Sequence, residues 1–225
     1  MELKLFEADN GDCPYLDSRK WCSHMFCTRD LSGSAYEYLL NCGFRRSGFV
    51  FYRNNCPACK LCVPIRIMVN TFTPTRSQKK TVRKNRETDV TLHKIGYDHE
   101  SFALYQKYAS ERFGTETTQQ EYRESLVQSA IDTRMVKYRH GSRLIGIGWI
   151  DVLPRSLSSV YFAFDPKYAR RSLGVYSILW EIEMAKYWGK DFLHLGFWVR
   201  GCSSMEYKSR YKPHQLLINE EWIQC

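Results

Sequence analysis

From Thr88 to Trp198 the hydrophobic pattern changes period in a fixed order, and that order limits the fold more than any single motif does. Thr88–Ile95 reads as a strand. Asp98 caps a helix that carries Phe102, Tyr105, Tyr108 and Ala109 on one face. Thr118-Gln-Gln-Glu121 is a capping-box pattern and opens a second helix. Met135–Arg139, a tight turn at His140-Gly141, Leu144–Leu153 and Ser159–Phe164 follow as three antiparallel strands. A helix from about Ser172 to Trp188 and a final strand from Phe192 to Trp198 close the series.

The first half is less regular. Residues 1–35 read as irregular and hold Cys13, Cys22 and Cys27. A short helix is expected over 35–42, then a strand from Phe44 to Arg53 broken at Ser-Gly. Val63–Phe72 alternates, with Ile65, Ile67 and Val69 on one face and Arg66, Met68 and Asn70 on the other, as in a half-buried strand. Thr75–Arg86 reads as a helix after Pro74. Between Arg76 and Arg86 stand six bases (Arg76, Lys79, Lys80, Arg83, Lys84 and Arg86) and no acid. Arg76, Lys79 or Lys80, and Arg83 recur along one side at helical spacing. The expected division is an N-terminal module over 1–86, with the cysteines and the basic helix, and a second domain over 87–225.

Composition sets the class. The chain has 225 residues, 44% of them hydrophobic, enough for a real core. No apolar run approaches the ~18 residues of a membrane span. The first residues carry acids where a signal peptide carries bases, so a cytoplasmic protein without a membrane partner is expected. In that compartment nine cysteines are not a disulfide framework. The formal net charge of +9 suggests an anionic partner, nucleic acid first and an acidic membrane surface second. A merely basic surface is the bland alternative.

The order of elements in the second half is the layout of the GNAT (N-acetyltransferase) fold, so the class is α+β: a cysteine-containing α/β module followed by a GNAT-like domain. One junction sharpens this. Asp165-Pro166 ends a strand, and Arg170-Arg171-Ser172-Leu-Gly174-Val-Tyr176 opens the helix. A glycine and free N–H groups at a helix start make an anion site. In GNAT enzymes this turn holds the acyl donor's pyrophosphate. Tyr176 stands where a small residue is usual, which argues against coenzyme A and for phosphates placed differently, as at the 3′ end of a tRNA. A plain strand-to-helix connection is the other reading.

Six ordered stretches then carry a family resemblance. They are Cys13-Pro-Tyr-Leu16; Gly43-Phe-Arg-Arg-Ser-Gly48; Tyr52-Arg53 with Cys56-x-x-Cys59-x-x-Cys62-Val-Pro-x-Arg66; Arg76-Ser-Gln-Lys-Lys80; Asp165-Pro166 with Ser172-Leu-Gly-Val-Tyr-Ser177; and Leu195-Gly-Phe-Trp198 through Cys202-x-x-Met205-x-Tyr-Lys208. The chain resembles the arginyl-tRNA–protein transferase family, within it the bacterial aspartate/glutamate leucyltransferases. The resemblance implies transfer of an aminoacyl group, leucine or else arginine, from charged tRNA to the α-amino group of proteins starting with Asp or Glu. The product is a degradation signal.

The chemistry implied asks for few parts. An aminoacyl ester is already activated, and an acceptor amine with pKa near 7.7–8.0 needs no strong base. Asp165 is the candidate base, with capping as its other role; Tyr176, Tyr207 or a ribose hydroxyl could shuttle the proton instead. Arg45, Arg46, Arg66 and Lys208 are candidates for the acceptor's carboxylate, or else ordinary surface or phosphate charge. Arg76, Lys79, Lys80 and Arg83, with Arg171, Ser172 and Gly174, are candidates for the aminoacyl-tRNA. Cys56-x-x-Cys59-x-x-Cys62 has spacing for zinc or an iron–sulfur cluster, with Cys13 as a fourth ligand, although no metal is required for the chemistry and the loop could be metal-free. His194 is read as structural, on the final strand. An acetyl-CoA-dependent protein N-acetyltransferase and a non-enzymatic, metal-stapled RNA-binding protein remain as alternatives.

Overall fold

The computed structural model describes residues 4–225. Strands β1 (Phe6–Asp12) and β2 (Lys20–Cys27) precede helix α1 (Gly33–Asn41), β3 (Arg45–Ser47) and β4 (Val50–Asn54). These four strands make an antiparallel sheet in the order β1-β2-β4-β3. Then follow β5 (Cys62–Met68), α2 (Arg76–Lys84), β6 (Thr88–Lys94), α3 (His99–Phe113), α4 (Gln119–Tyr122), β7 (Thr133–His140), β8 (Arg143–Val152) and β9 (Ser156–Phe164). The chain closes with α5 (Leu173–Tyr187), β10 (Phe192–Val199), α6 (Ser203–Glu206), β11 (His214–Ile218) and β12 (Glu221–Gln224). The second sheet runs β12-β11-β5-β10-β9-β8-β7-β6, antiparallel throughout except between β9 and β10.

Helices cover both faces of this sheet. On one, α3 packs Phe102, Leu104 and Tyr108 against Leu144, Ile147, Trp149 and Ala163. On the other, α5 packs Leu173, Ile178, Leu179 and Ile182 against Ile65, Ile67, Val136 and Leu157. The expected helix starts are real. Asp98 accepts from the Ser101 N–H at 2.9 Å, and both reciprocal bonds of the Thr118–Glu121 box form. Thr75 and Gln78 make a second such box at the start of α2. The strand, two helices, three antiparallel strands, helix and strand of the GNAT layout appear in that order. No helix of the described residues is long and apolar enough to cross a membrane.

Four expectations change. Residues 1–35 are not irregular, because β1 and β2 pair as a hairpin. Most of β1 is solvent-exposed, so no apolar alternation marked it. β10 is not the last strand: β11 and β12 follow, and β11 pairs with β5. β5 itself is not half-exposed, since β10 and β11 flank it and Arg66 on its second face is buried too. The division at residue 86/87 therefore does not separate the two sheets. Residues 62–68 are an interior strand of the larger one.

Arg46 ties the small sheet to the large. Its guanidinium forks onto Asp151 of β8, with Nε donating to Oδ2 at 2.8 Å, and it also donates to Thr133 Oγ1 at 2.8 Å. Arg46 and Asp151 side chains are 1% and 0% exposed. At that burial, removing one partner leaves an unpaired charge, which costs more than the pair contributes. Asp151→Ala should lower unfolding free energy by about 3–5 kcal/mol, and Arg46→Met added to it should recover part of the loss. Denaturant titration of the two variants checks this, and a single-variant loss below about 1 kcal/mol would contradict it.

Candidate active site

The large sheet opens between β9 and β10. The two strands pair only from Ser156–Phe192 to Ser158–His194 and then part. Both are bulged at that point. On β9, Ser159 faces Ile150 and Tyr161 faces Trp149, which leaves Val160 unpaired. On β10, the pairing with β5 jumps from His194–Arg66 to Phe197–Pro64, and Gly196 takes φ +79°. A bulge bends its strand and re-aims the side chains beside it. The result is a cleft of ≈ 660 Å³. Its floor is the start of α5, and its walls include Tyr161 and Phe162 of β9, Tyr108 and Arg112 of α3, and Tyr207 and Lys208 beyond α6. Tyr15 and Tyr52 reach it from the small sheet's side.

Arg45 stands in the gap. Nη1 donates to Ser158 Oγ at 3.1 Å, another guanidinium nitrogen donates to the Ser159 carbonyl, and the group lies against Gly196, where a Cβ would stand 3.6 Å from Nε. Lys208 lies in the same cleft, 9% exposed, with Nζ donating to the Phe197 carbonyl at 2.9 Å. Burial first, and then the charge of Arg45, bring its amine down to about 7. No salt bridge forms on either cation among the described residues, so both retain unused donors.

At the floor, Ser172 takes φ +56° and α5 begins without a side-chain cap. The N–H groups of Val175 and Tyr176 both turn back to the Ser172 carbonyl. Ser172 and Gly174 border the cleft, and no atom lies within 4 Å of the place a Cβ on Gly174 would take. An open helix start of this kind favours an anion. Beside it, α2 packs on α5 and is tied to the turn before it. Lys84 Nζ donates to the Arg170 carbonyl at 2.7 Å, and Asn85 Nδ2 to the Arg171 carbonyl at 2.9 Å. Arg76, Lys79, Lys80 and Arg83 are exposed on α2. The basic face thus flanks the mouth of the anion turn.

The other predicted residues fall elsewhere. Arg46 is the buried tie to Asp151. Arg66 lies between the rings of Phe192 (3.8 Å) and Trp222 (4.2 Å) and donates to Gln215 and Asn41. Neither borders the cleft. Arg171 donates to His140 and to the Lys84 carbonyl. Asp165 caps the turn through the Lys167 N–H at 3.0 Å and pairs with Lys107 at 2.6 Å. Burial opposes its ionisation, but the bonds from Lys107 and Lys167 and the charges of Lys107 and Arg143 outweigh it and hold the carboxyl below its usual range. A carboxylate so held is a weak base. Tyr176 turns its ring toward Tyr138, 6.1 Å away, and does not border the cleft. Its size therefore does not narrow the anion turn, and Tyr176 does not speak against coenzyme A. His194, 3% exposed, packs on Trp222.

All nine cysteines are free thiols. Burial first, and then Cys13, Cys56 and Cys59, push the Cys62 thiol up to about 12, so these four share one region. Cys56 Sγ is occupied with the backbone of Cys22. Among the described residues no three Cys, His, Asp or Glu side chains converge into a metal-holding group. No step of the chemistry is assigned to a metal or cluster at these thiols.

Sequence reading passed over Ser159, Tyr15, Tyr52, Tyr161 and Arg112, which border the cleft, and Glu181 beneath it. Glu181 left a signal: it interrupts the apolar stripe Ile178, Ile182 and Ala185 of α5. It is fully buried, and burial pushes its carboxyl up to about 8, with Ser159 opposing weakly. A carboxyl raised in the fold adds stability that is complete below the unfolded pKa, near 4.5, and is lost as pH rises through the folded value near 8. Wild type should therefore lose roughly 3–5 kcal/mol relative to Glu181→Gln between pH 4.5 and 8.5. Denaturant titrations of the pair across that range check it, and parallel curves would refute it.

Comparisons with known proteins place the chain in a family. The family model "Arginine-tRNA-protein transferase, N terminus" matches residues 11–80, and "Arginine-tRNA-protein transferase, C terminus" matches 100–218. An aspartate/glutamate leucyltransferase of Saccharophagus degradans is 39% identical over 99% of this chain and 97% of its own length. Another, of Hahella chejuensis, is 37% identical over 98% and 97%. Among solved structures, a domain described as the C-terminal part of a lysylphosphatidylglycerol synthetase of Agrobacterium fabrum superposes with a TM-score of 0.51 at 11% identity. It covers 78% of this chain and 61% of that one, and speaks for the fold alone. The chain belongs to the arginine-tRNA–protein transferase family.

Proposed function

We propose that this protein transfers the leucyl group of a charged tRNA to the α-amino group of proteins that begin with Asp or Glu. The observation that carries the reading is the pair of buried cations, Arg45 and Lys208, in a cleft headed by an open helix start. The relatives' shared name, aspartate/glutamate leucyltransferase, supplies the substrates. An arginine fork and an ammonium suit the carboxylate of an acidic N-terminus. The N–H groups at the start of α5, flanked by the basic face of α2, suit the phosphates at the tRNA's 3′ end. Phe162, Leu173 and Ile178 offer apolar wall for a leucyl side chain. The new N-terminal leucine would mark the acceptor for degradation, and a reaction that draws on charged tRNA belongs in the cytoplasm.

The chemistry asks mainly for positioning. The acceptor's α-amine, with pKa ~7.7–8.0, is partly neutral at pH 7 and attacks an ester that is already activated. Holding amine and ester together supplies most of the acceleration.

The test is a transfer assay with tRNA charged separately with labelled leucine or arginine, and peptides beginning with Asp, Glu, Arg or Ala. Label should move from leucyl-tRNA to the Asp and Glu peptides. Movement from arginyl-tRNA alone would transfer the proposal to arginine, and no movement from either would sink it. Lys208 gives the acceptor step a pH signature. Its amine is protonated below about 7, so KM for an Asp peptide should rise as pH passes 7, and Lys208→Met should raise it roughly 30-fold or more at pH 6.5 and flatten the rise. An unchanged KM in that variant would remove Lys208 from the acceptor site. Reversing Arg76, Lys79 and Arg83 to Glu should raise KM for leucyl-tRNA, and reduce its salt slope by ~0.7–0.9 for each phosphate left unbound, with KM for the peptide unchanged.

A further inference from the structure

Three carboxylates are buried among the described residues: Asp151, Asp165 and Glu181. The first two have cation partners, Arg46 and Lys107, and Glu181 has none. Its Oε2 has no hydrogen-bond partner at all, and its Oε1 has one, the hydroxyl of Ser159, which donates at 3.4 Å. Leaving a buried carboxyl in that state costs stability that a leucine there would not. Ser159 is no ordinary neighbour. It stands beside the bulge of β9, borders the cleft, and has its carbonyl held by Arg45. One turn before Glu181 on α5, Ser177 also borders the cleft. A polar line thus runs from the cleft wall at Ser159 to a carboxyl sealed in the core.

We propose that Ser159 and Glu181 form a proton relay for aminoacyl transfer, with Ser159 exchanging protons at the reacting ester and Glu181 storing the one it passes. The proposal rests on the aminoacyl-transfer reading. As the amine attacks, the C–N bond forms and the carbonyl π pair moves to its oxygen. On collapse the bond from carbonyl carbon to ribose oxygen breaks, and the pair leaves with the ribose oxygen. That oxygen takes the Ser159 hydroxyl proton, and Ser159 takes the Glu181 proton. The surplus proton on the new amide nitrogen returns by the same line, so no net proton is gained or lost. Glu181 acts through Ser159 and is a positioning residue for the proton. The groups facing it are Ser159 from β9, Tyr138 from β7, and Tyr207 and Tyr211 from the segment after α6. Burial raises Glu181 to about 8, close to the ~7.7–8.0 of an α-amine, so proton exchange between them is nearly balanced.

The experiment is the pH dependence of kcat, at saturating leucyl-tRNA and Asp peptide, for wild type, Glu181→Gln, Ser159→Ala and Ser159→Thr. Saturation removes the effect of Lys208 on binding. Wild-type kcat should fall above about pH 8. Glu181→Gln, which keeps shape, should lower kcat about 10²-fold and abolish that fall, with both KM values within about twofold. Ser159→Ala should do the same, and Ser159→Thr should restore most of the rate. A kcat within about threefold of wild type in both Glu181→Gln and Ser159→Ala, with the alkaline fall intact, would overturn the relay. A separate readout needs no turnover: the infrared carbonyl band of a neutral carboxylic acid at pH 7, present in wild type and lost in Glu181→Gln. Its absence overturns the relay even if transfer is intact. A wild-type protein that shows the band but moves no leucine would fail the parent reading instead.

Discussion

Everything at the candidate site depends on β9 and β10 parting. Two parallel strands paired along their full length would offer a continuous ladder and no cleft. Here the ladder stops after Ser158–His194, and each strand carries a bulge at the same height. The backbone groups freed by the parting need partners. Arg45 meets that need at the Ser159 carbonyl from outside the sheet, and its planar fork also binds the side-chain Oγ of Ser158. Gly196 allows the fork to lie against β10 at a positive φ that other residues rarely adopt. One side chain from the small sheet therefore holds the large sheet open and leaves a buried positive charge in the opening.

That arrangement explains why two neighbouring arginines have different work. On β3, Arg45 and Arg46 alternate, as successive strand residues must. Arg45 reaches the cleft, and Arg46 reaches Asp151 beneath β8. The fork on Asp151 fixes β3 relative to the large sheet and so fixes where Arg45 can reach. Arg66 does comparable work farther along, sandwiched between Phe192 and Trp222 while its donors meet Gln215 and Asn41. Its charge joins α1, β5, β10, β11 and β12, and burial lowers its proton affinity to about 10 without discharging it at neutral pH.

Much of the fold was legible because the second half obeys local rules. Asp98, Thr118 and Glu121 mark helix starts by capping, and β7 to β9 stand out as apolar runs that follow one another across short turns. The small sheet was not legible over 1–35, since an exposed strand such as β1 has no apolar face to repeat. The site was half legible. Arg45, Lys208, Ser172 and Gly174 border the cleft. Arg46, Arg66, Arg171, Asp165 and Tyr176 stand in the same motifs but do not border it, and sequence cannot separate the two placements because both use polar groups at fixed places. Only the register of β3 and the turn of α5 decide which side chain meets the cleft.

The same desolvation acts on opposite groups in this region and moves both toward neutrality. It lowers Lys208 to about 7 and raises Glu181 to about 8, although one is a base and the other an acid. Near neutral pH Glu181 then adds no anion beneath the cleft, and Arg45 supplies a buried positive charge beside Lys208. Under the proposed reading, a carboxylate entering from an acidic N-terminus would meet Arg45 and draw a proton onto Lys208, because an opposite charge restores what burial removed. The resting cleft thus lessens the cost of two adjacent buried cations, and the second would be fully charged when a carboxylate arrives to neutralise it. An uncharged N-terminal side chain supplies no such compensation, so it would leave Lys208 only partly protonated near pH 7 and Arg45 unpaired. On that reading, discrimination for acidic acceptors would follow from the difference in charge balance, without any need for a closer steric fit.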